Sequence, residues 1–329
     1  MHKPKSTVLR ARALLFPALL LLGLHAAGPA AAQTYPDRPI KMISTIPAGS
    51  ASDTMLRHLA ERMGESLKQP VVVENRMGAG GIIGTRALVT APNDGYTIGI
   101  TSNGALPAAP YLYKNVGYDV LKGFSHIGMF AYLPYVLVVQ KDVPGENLAQ
   151  FISHVRANPG KLSSGYYANS LRMALHELEG GAKLKFQKIP YKASGQLLTD
   201  MGQGLVHFAV VPLSVANLAQ QNGFARIVAV TTNRRWELLP NVPAVSEVIP
   251  GYQNVAWAAL SAPSGTPPDI VAKLRAALND VLARPETRKR WSELGADLVT
   301  GDGQAVQSHV VRDMPLWESF TKEANIAPE

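Results

Sequence analysis

The chain has 329 residues, no cysteine and a formal net charge of +8. The lack of cysteine excludes disulfides, thiolate metal sites and a lipid-anchored cysteine. Lys3, Lys5, Arg10 and Arg12 supply four of the positive charges with no acid among them, so the chain beyond them carries +4. That ordinary surface has no long Lys/Arg run. It argues against a nucleic-acid partner and mildly favours anionic ligands.

The basic start is followed by the apolar stretch "ALLFPALLLLGL" (Ala13 to Leu24) and then by "GPAAAQ", where Ala30 and Ala32 fit a small-residue cleavage pattern. Residues 1–32 are expected to be a signal peptide, with the mature chain beginning near Gln33. An anchored transmembrane helix is the alternative, but the apolar run is short and Pro17 interrupts it.

Strands then alternate with helices. "PIKMISTI" (Pro39 to Ile46) reads as a strand and "PAGSASD" as a turn. Met55, Leu56, Leu59, Met63 and Leu67 share one face of the following helix, with Asp53 a natural N-cap. "VVVEN" is a second strand, "IIGTRALVTA" a helix, and "PNDGYTIGITS" a turn and third strand. "PYVLVVQKD" (Pro134 to Asp142) is a buried-type strand and "ENLAQFISHVRANPG" a helix. "LSSGYYANS" leads from a strand into a helix beginning near Leu171. "KFQKIPY", "VHFAVVP" and "RIVAVTT" are strands, and "GQLLTDMGQG" is a helix. "NVAWAALSAPSGTPP" returns the chain to the helices "DIVAKLRAALNDVLA" and "PETRKRWSELG". This alternation predicts mainly parallel sheets with helices on their faces. Two crossings, near residues 131–140 and 252–262, divide the chain into one lobe of residues 33–132 with 256–329 and another of 133–255. The cleft between such lobes is the default ligand site.

"VVVENRMGAGGIIGTRALV" invites a dinucleotide-binding reading, which requires G-x-G-x-x-G. Gly78 and Gly80 fit, but Ile83 stands at the third offset and Gly84 comes one residue late. Asp94 lies in a turn rather than at the tip of a second strand. The glycines therefore read as a tight turn with close helix–sheet packing, and no cofactor is expected. No zinc-protease, P-loop or nucleophile-elbow motif is present. His58, His126, His154, His176 and His207 lack metal-ligand spacing, and Glu177 and Glu179 read as solvated acids on a helix.

The segments "YPDRPIKMISTIPAGSASD", "VENRMGAGGIIGTRALV", "PNDGYTIGI", "YLYKNVGYDVLKGFSHIGM", "IPYKASGQLLTDMGQG", "IVAVTTNRRWELLPNVPAVSEVIPGY" and "LSAPSGTPP" resemble the Bug family. These are extracytoplasmic solute-binding receptors of tripartite tricarboxylate transporters. The resemblance implies an α/β, two-lobed periplasmic binding protein of the Venus-flytrap type. It further implies a periplasmic protein that closes on an organic carboxylate and delivers it to a membrane permease with a large and a small subunit; the mature protein is expected to be a monomer.

Backbone N–H groups in "IPAGSASD" can face an anion at the start of a helix whose dipole adds to the attraction. Ala48, Gly49, Ser50, Ala51 and Asp53 are the candidates there. Gly165, Tyr166, Tyr167, Asn169, Ser170 and Arg172 are candidates at the second turn, with Tyr191, Lys192 and His207 beyond. Several depart from the family pattern: Gly49-Ser50 replaces a glycine pair, Met173 stands at a usual histidine, and His207 at a usual aspartate. Two tyrosines and an arginine in the cleft would suit a planar aromatic carboxylate. Alternatively both tyrosines pack between helix and sheet and Arg172 faces water. An exported enzyme acting on organic acids and a ligand sensor for a signalling partner are the competing functions.

Overall fold

The computed structural model describes His2 and residues 35–329. Apart from His2, the expected leader lies outside the described residues. Residues 38–329 pack as one unit.

Strand β1 (Ile40–Ser44) runs into helix α1 (Ala51–Leu67), which buries Met55, Leu56, Leu59, Met63 and Leu67 as its apolar spacing predicts. The cap differs from expectation. Ser50 is the N-cap, its hydroxyl accepting the Asp53 N–H at 3.2 Å, and Asp53 lies in the first turn. Both residue types can cap, but Ser50 has the extended backbone that a cap requires.

Strand β2 (Val71–Asn75), helix α2 (Ile82–Val89) and strand β3 (Thr97–Ser102) follow, with β1 parallel to both β2 and β3. The glycine turn between β2 and α2 serves packing. A Cβ on Gly84 would stand 2.7 Å from the Arg76 carbonyl and 2.8 Å from a Thr45 methyl. Helix α3 (Ala109–Leu112) precedes strand β4 (Phe124–Gln140).

Strand β4 belongs to two sheets. Its first part pairs antiparallel with β9 (Val255–Pro263), and its second with β7 (Phe208–Pro212) and β8 (Ala225–Val230). Strand β5 (Ser163–Tyr166) is parallel to β6 (Gln187–Pro190) and β7. The resulting order is β2-β1-β3-β9-β4-β7-β5-β6, with β8 also on β4. The outer strands are therefore parallel, and antiparallel pairing enters where the two crossing strands join them. This is a two-lobed α/β fold.

Helices α4 (Leu148–Ala157) and α5 (Asn169–Ala182) cover one face of the second sheet; α6 (Ser194–Gly202) and α7 (Leu213–Gln221) cover the other. Period-two alternation along β4 sends Leu137 and Val139 to the first core and Val136 and Val138 to the second. Helices α8 (Pro268–Ala283) and α9 (Pro285–Glu293) fall where expected. Helix α7, strand β10 (Asp297–Gly301), which pairs with β4, and helix α10 (Gly303–Glu323) are additions to the expected elements. Helix α10 buries Val306 and Val310 with Ile43, Leu88 and Trp257 in the first lobe.

Candidate functional site

The loop between β1 and α1 is held from beneath by Asp53, whose residue is 2% exposed. One carboxylate oxygen accepts the Gly49 N–H at 3.0 Å and Arg57 Nε at 2.8 Å. The other accepts Asn75 Nδ2 at 2.9 Å, and that amide also donates to the Ile46 carbonyl. Burial alone would push the Asp53 carboxyl up, but the bonds from Arg57, Asn75 and Gly49 outweigh it and hold it below its ordinary value. Asp53 therefore shapes the loop rather than meeting solvent, and the Gly49 N–H is turned inward to it. Ala51 and Ser52 open the helix, so their N–H groups have no carbonyl four residues back within it.

Across the cleft, α5 begins after Ala168, which supplies no side-chain cap. Its first N–H groups are left for another acceptor. Asn169 and Ser170 of this helix end line the same cavity, of about 340 Å3, as Thr45, Ile46 and Ser52 of the first lobe. Ser102, Asn103 and Gly104 at the end of β3 add polar atoms to the wall. Ile100, Leu133, Ala256, Trp257 and Ala258 form an apolar floor, with Leu112, Tyr113 and Trp317 beside it. The lining contains no Lys, Arg, His, Asp or Glu. Trp257 is fixed by its indole N–H, which donates to Asp313 at 2.9 Å.

Most of the other expected site residues lie off this wall. Ala48 is exposed in the loop, and Gly165 is buried, where a Cβ would meet Leu197 at 2.8 Å. Tyr166 and Tyr167 pack against the second lobe's cores. Arg172 lies over the Tyr166 ring at 5.6 Å and donates to the Ala324 carbonyl at 3.0 Å, at the end of α10. Tyr191 donates to Asp200 at 2.8 Å; burial, with that carboxylate, pushes its hydroxyl up to about 12. Lys192 is exposed. His207 Nδ1 pairs with Ser163 at the start of β5, whereas the cavity lies beyond that strand's end. Of the residues singled out from sequence, Asn169 and Ser170 line the cavity directly, and Gly49 to Asp53 form the turn that carries Ser52.

Thr45, Asn103, Tyr113, Trp257 and Trp317 were not singled out from sequence, although "TSNG" after a strand is a recognisable turn signal. Glu177 is also misplaced by the solvated reading. It is half-buried, and its carboxylate accepts Asn254 Nδ2 at 2.9 Å beside the crossing into β9. Among the described residues no group of three metal-ligating side chains occurs, and no helix is long and apolar enough to cross a membrane.

A family model described as the tripartite tricarboxylate transporter family receptor matches residues 55–326. Protein BugT of Bordetella pertussis is 32% identical over 305 residues, covering 90% of this chain and 92% of that protein. The structure of R. palustris Rpa4515 with adipate is 30% identical, with a TM-score of 0.74, and covers 90% of this chain and 100% of that one. MatC from Rhodopseudomonas palustris with bound malate is 27% identical, with a TM-score of 0.69 and coverage of 87% and 99%. The periplasmic binding protein BugD is likewise similar, at 31% identity and a TM-score of 0.71, with coverage of 90% of this chain and 100% of that one. With its fold, its cleft and this match across most of its length, the chain belongs to the Bug family of tripartite tricarboxylate transporter receptors.

Proposed function

We propose that the protein captures an organic carboxylate in the interlobe cavity and presents it to a tripartite transporter permease with large and small membrane subunits. The carrying observation is that the uncapped start of α5 faces the same cavity as the start of α1. Two helix N-termini offer N–H groups and positive partial charge, which suits a carboxylate without a cationic side chain. Ser52 and Thr45 hold it from one lobe, and Asn169 and Ser170 from the other. Trp257, Trp317 and Tyr113 bound an apolar body, aromatic or aliphatic, on the remaining wall. Adipate and malate in two relatives support the ligand class.

In this reading residues 1–32 are removed on export, and the mature monomer works in the periplasm. Residues 33–132 with 256–329 form one lobe and residues 133–255 the other. Thermal shift and tryptophan fluorescence across a panel of mono- and dicarboxylic acids test the proposal. A saturable response is expected, with the acid recovered unchanged by NMR. A panel without any response refutes the ligand class, and a converted acid refutes the binding-only role.

A further inference from the structure

We infer that closing the cleft takes up a proton at Glu177, because closure brings that carboxylate and Asp313, from opposite lobes, onto one gap beside the hinge. Glu177 belongs to α5, whose apolar face is buried in the second lobe's core. Asp313 belongs to α10, which buries Val306 and Val310 in the first lobe's core and packs Trp317 and Phe320 against Met173 of α5 where the two lobes meet. Both line a gap of about 40 Å3, which adjoins the ligand cavity through their shared Asn103, Ser170 and Trp317. The coupling to ligand rests on the proposed capture function; the coupling to lobe closure does not.

The groups around Glu177 leave its charge poorly compensated. Asn254 donates one neutral hydrogen bond. From α10, Asp313 faces the same gap, and Arg312 is already paired with it at 2.7 Å. Tyr252 donates its hydroxyl to the Ala174 carbonyl instead. His176, next to Glu177 on α5, pairs with Glu323 of α10 at 3.0 Å. Burial, with the charge of Asp313 adding to it, pushes Glu177 up from its ordinary 4.5 to about 7, against the opposing bond from Asn254. Separating the lobes would hydrate the carboxylate and remove Asp313 from its side, returning it toward the ordinary value. Glu177 also borders a wider outer groove of about 390 Å3, which gives the proton a route to solvent.

The sign follows from linkage. A carboxyl that binds its proton more tightly in the closed form favours closure at low pH. That advantage is complete below the ordinary glutamate range, declines as pH rises, and is gone above about pH 7.

Two measurements test this. In small-angle scattering without any ligand, the wild-type protein should be more compact at about pH 5.5 than at about pH 8, and Glu177→Gln should show no such change. In calorimetry with benzoate and adipate as probes, wild-type affinity should fall on the order of tenfold between about pH 5.5 and 7.5. Paired buffers of different ionisation enthalpy should register uptake of about half a proton at pH 7. His176→Gln separates the neighbouring pair, and the pH response should survive it. A wild-type profile independent of pH, or a response lost in His176→Gln and retained in Glu177→Gln, overturns the inference. Should Glu177→Gln not fold, wild-type binding with no proton uptake overturns it. Failure of both probes, together with a silent acid panel, sinks the carboxylate reading, while scattering alone decides the proton-linked closure.

Discussion

Replacing Asp53 with asparagine keeps its shape and turns one acceptor oxygen into a donor NH2. One native oxygen serves Gly49 N–H and Arg57 Nε, and the other serves Asn75 Nδ2. The less costly orientation keeps an oxygen toward Gly49 and Arg57, which opposes the new NH2 to the Asn75 amide. Asn75 cannot flip to accept, because it donates to Ile46 and its own oxygen accepts Arg57 Nη2. A buried donor is therefore stranded and a charge-assisted bond weakened, each worth about 1–3 kcal/mol. The Arg57 side chain is 50% exposed and recovers some solvation, so a net loss of about 2–3 kcal/mol is expected. For a chain of this size that lowers Tm by about 3–5 °C, measurable by calorimetry and by urea unfolding at neutral pH. Because the native bonds hold Asp53 below its ordinary value, its stabilisation is present above the ordinary aspartate range and lost as pH falls through the lowered native one. The gap between wild type and Asp53→Asn should therefore narrow below about pH 4. A loss under about 0.5 kcal/mol, or a gap unchanged from neutral to acid pH, refutes the reasoning.

Gly84→Ala should cost about 1–3 kcal/mol in urea unfolding, since its Cβ would meet the Arg76 carbonyl at 2.7 Å and Thr45 at 2.8 Å. Arg172→Ala should lower stability by about 1 kcal/mol by freeing the Ala324 carbonyl. Its refutation is unchanged stability with a large loss of carboxylate affinity in calorimetry, which would place the guanidinium on the ligand instead. Trp317→Phe should reduce the tryptophan emission change on ligand saturation, with Trp257 supplying the remainder, because these two alone among the tryptophans line the cavity. An undiminished change in that variant would move the ligand away from this wall.

Local patterns carry the helices and short strands of both lobes, but they stop at the places where the chain's parts meet. The apolar spacing of α1 is legible because a helix buries one stripe. The choice between Ser50 and Asp53 as cap is not, since it depends on Asn75 and Arg57 claiming the Asp53 carboxylate. Strand β4 is legible from Pro134 onward, where "PYVLVV" is continuously apolar. Its first ten residues are obscured by shifts in pairing with β9 between His126 and Gly128 and between Met129 and Ala131, which break period-two alternation. Helix α10 is disguised by Pro315 within it. Missing α10 conceals one whole side of the site, including Trp317 and Asp313.

Arg172 shows how far electrostatics can be read from sequence and where it needs the fold. A cation in the first turn of a helix adds to a positive helix end, so it calls for a negative partner. The partner in this structure is the Ala324 carbonyl at the C-terminal, negative end of α10, reached at 3.0 Å. The need for a negative group was legible, because it is set by the residue's own helix. Which group meets it was not, because α10 lies at the far end of the chain and no local pattern places it against α5. The exchange has a consequence for the site: a guanidinium satisfied by a backbone carbonyl joins the lobes through α5 and α10. The cavity wall is left to neutral N–H and O–H donors, and His176 and Glu323 make a second contact between the same two helices. The contacts that hold the lobes together and the groups that face the cavity are thus different residues of one helix, α5.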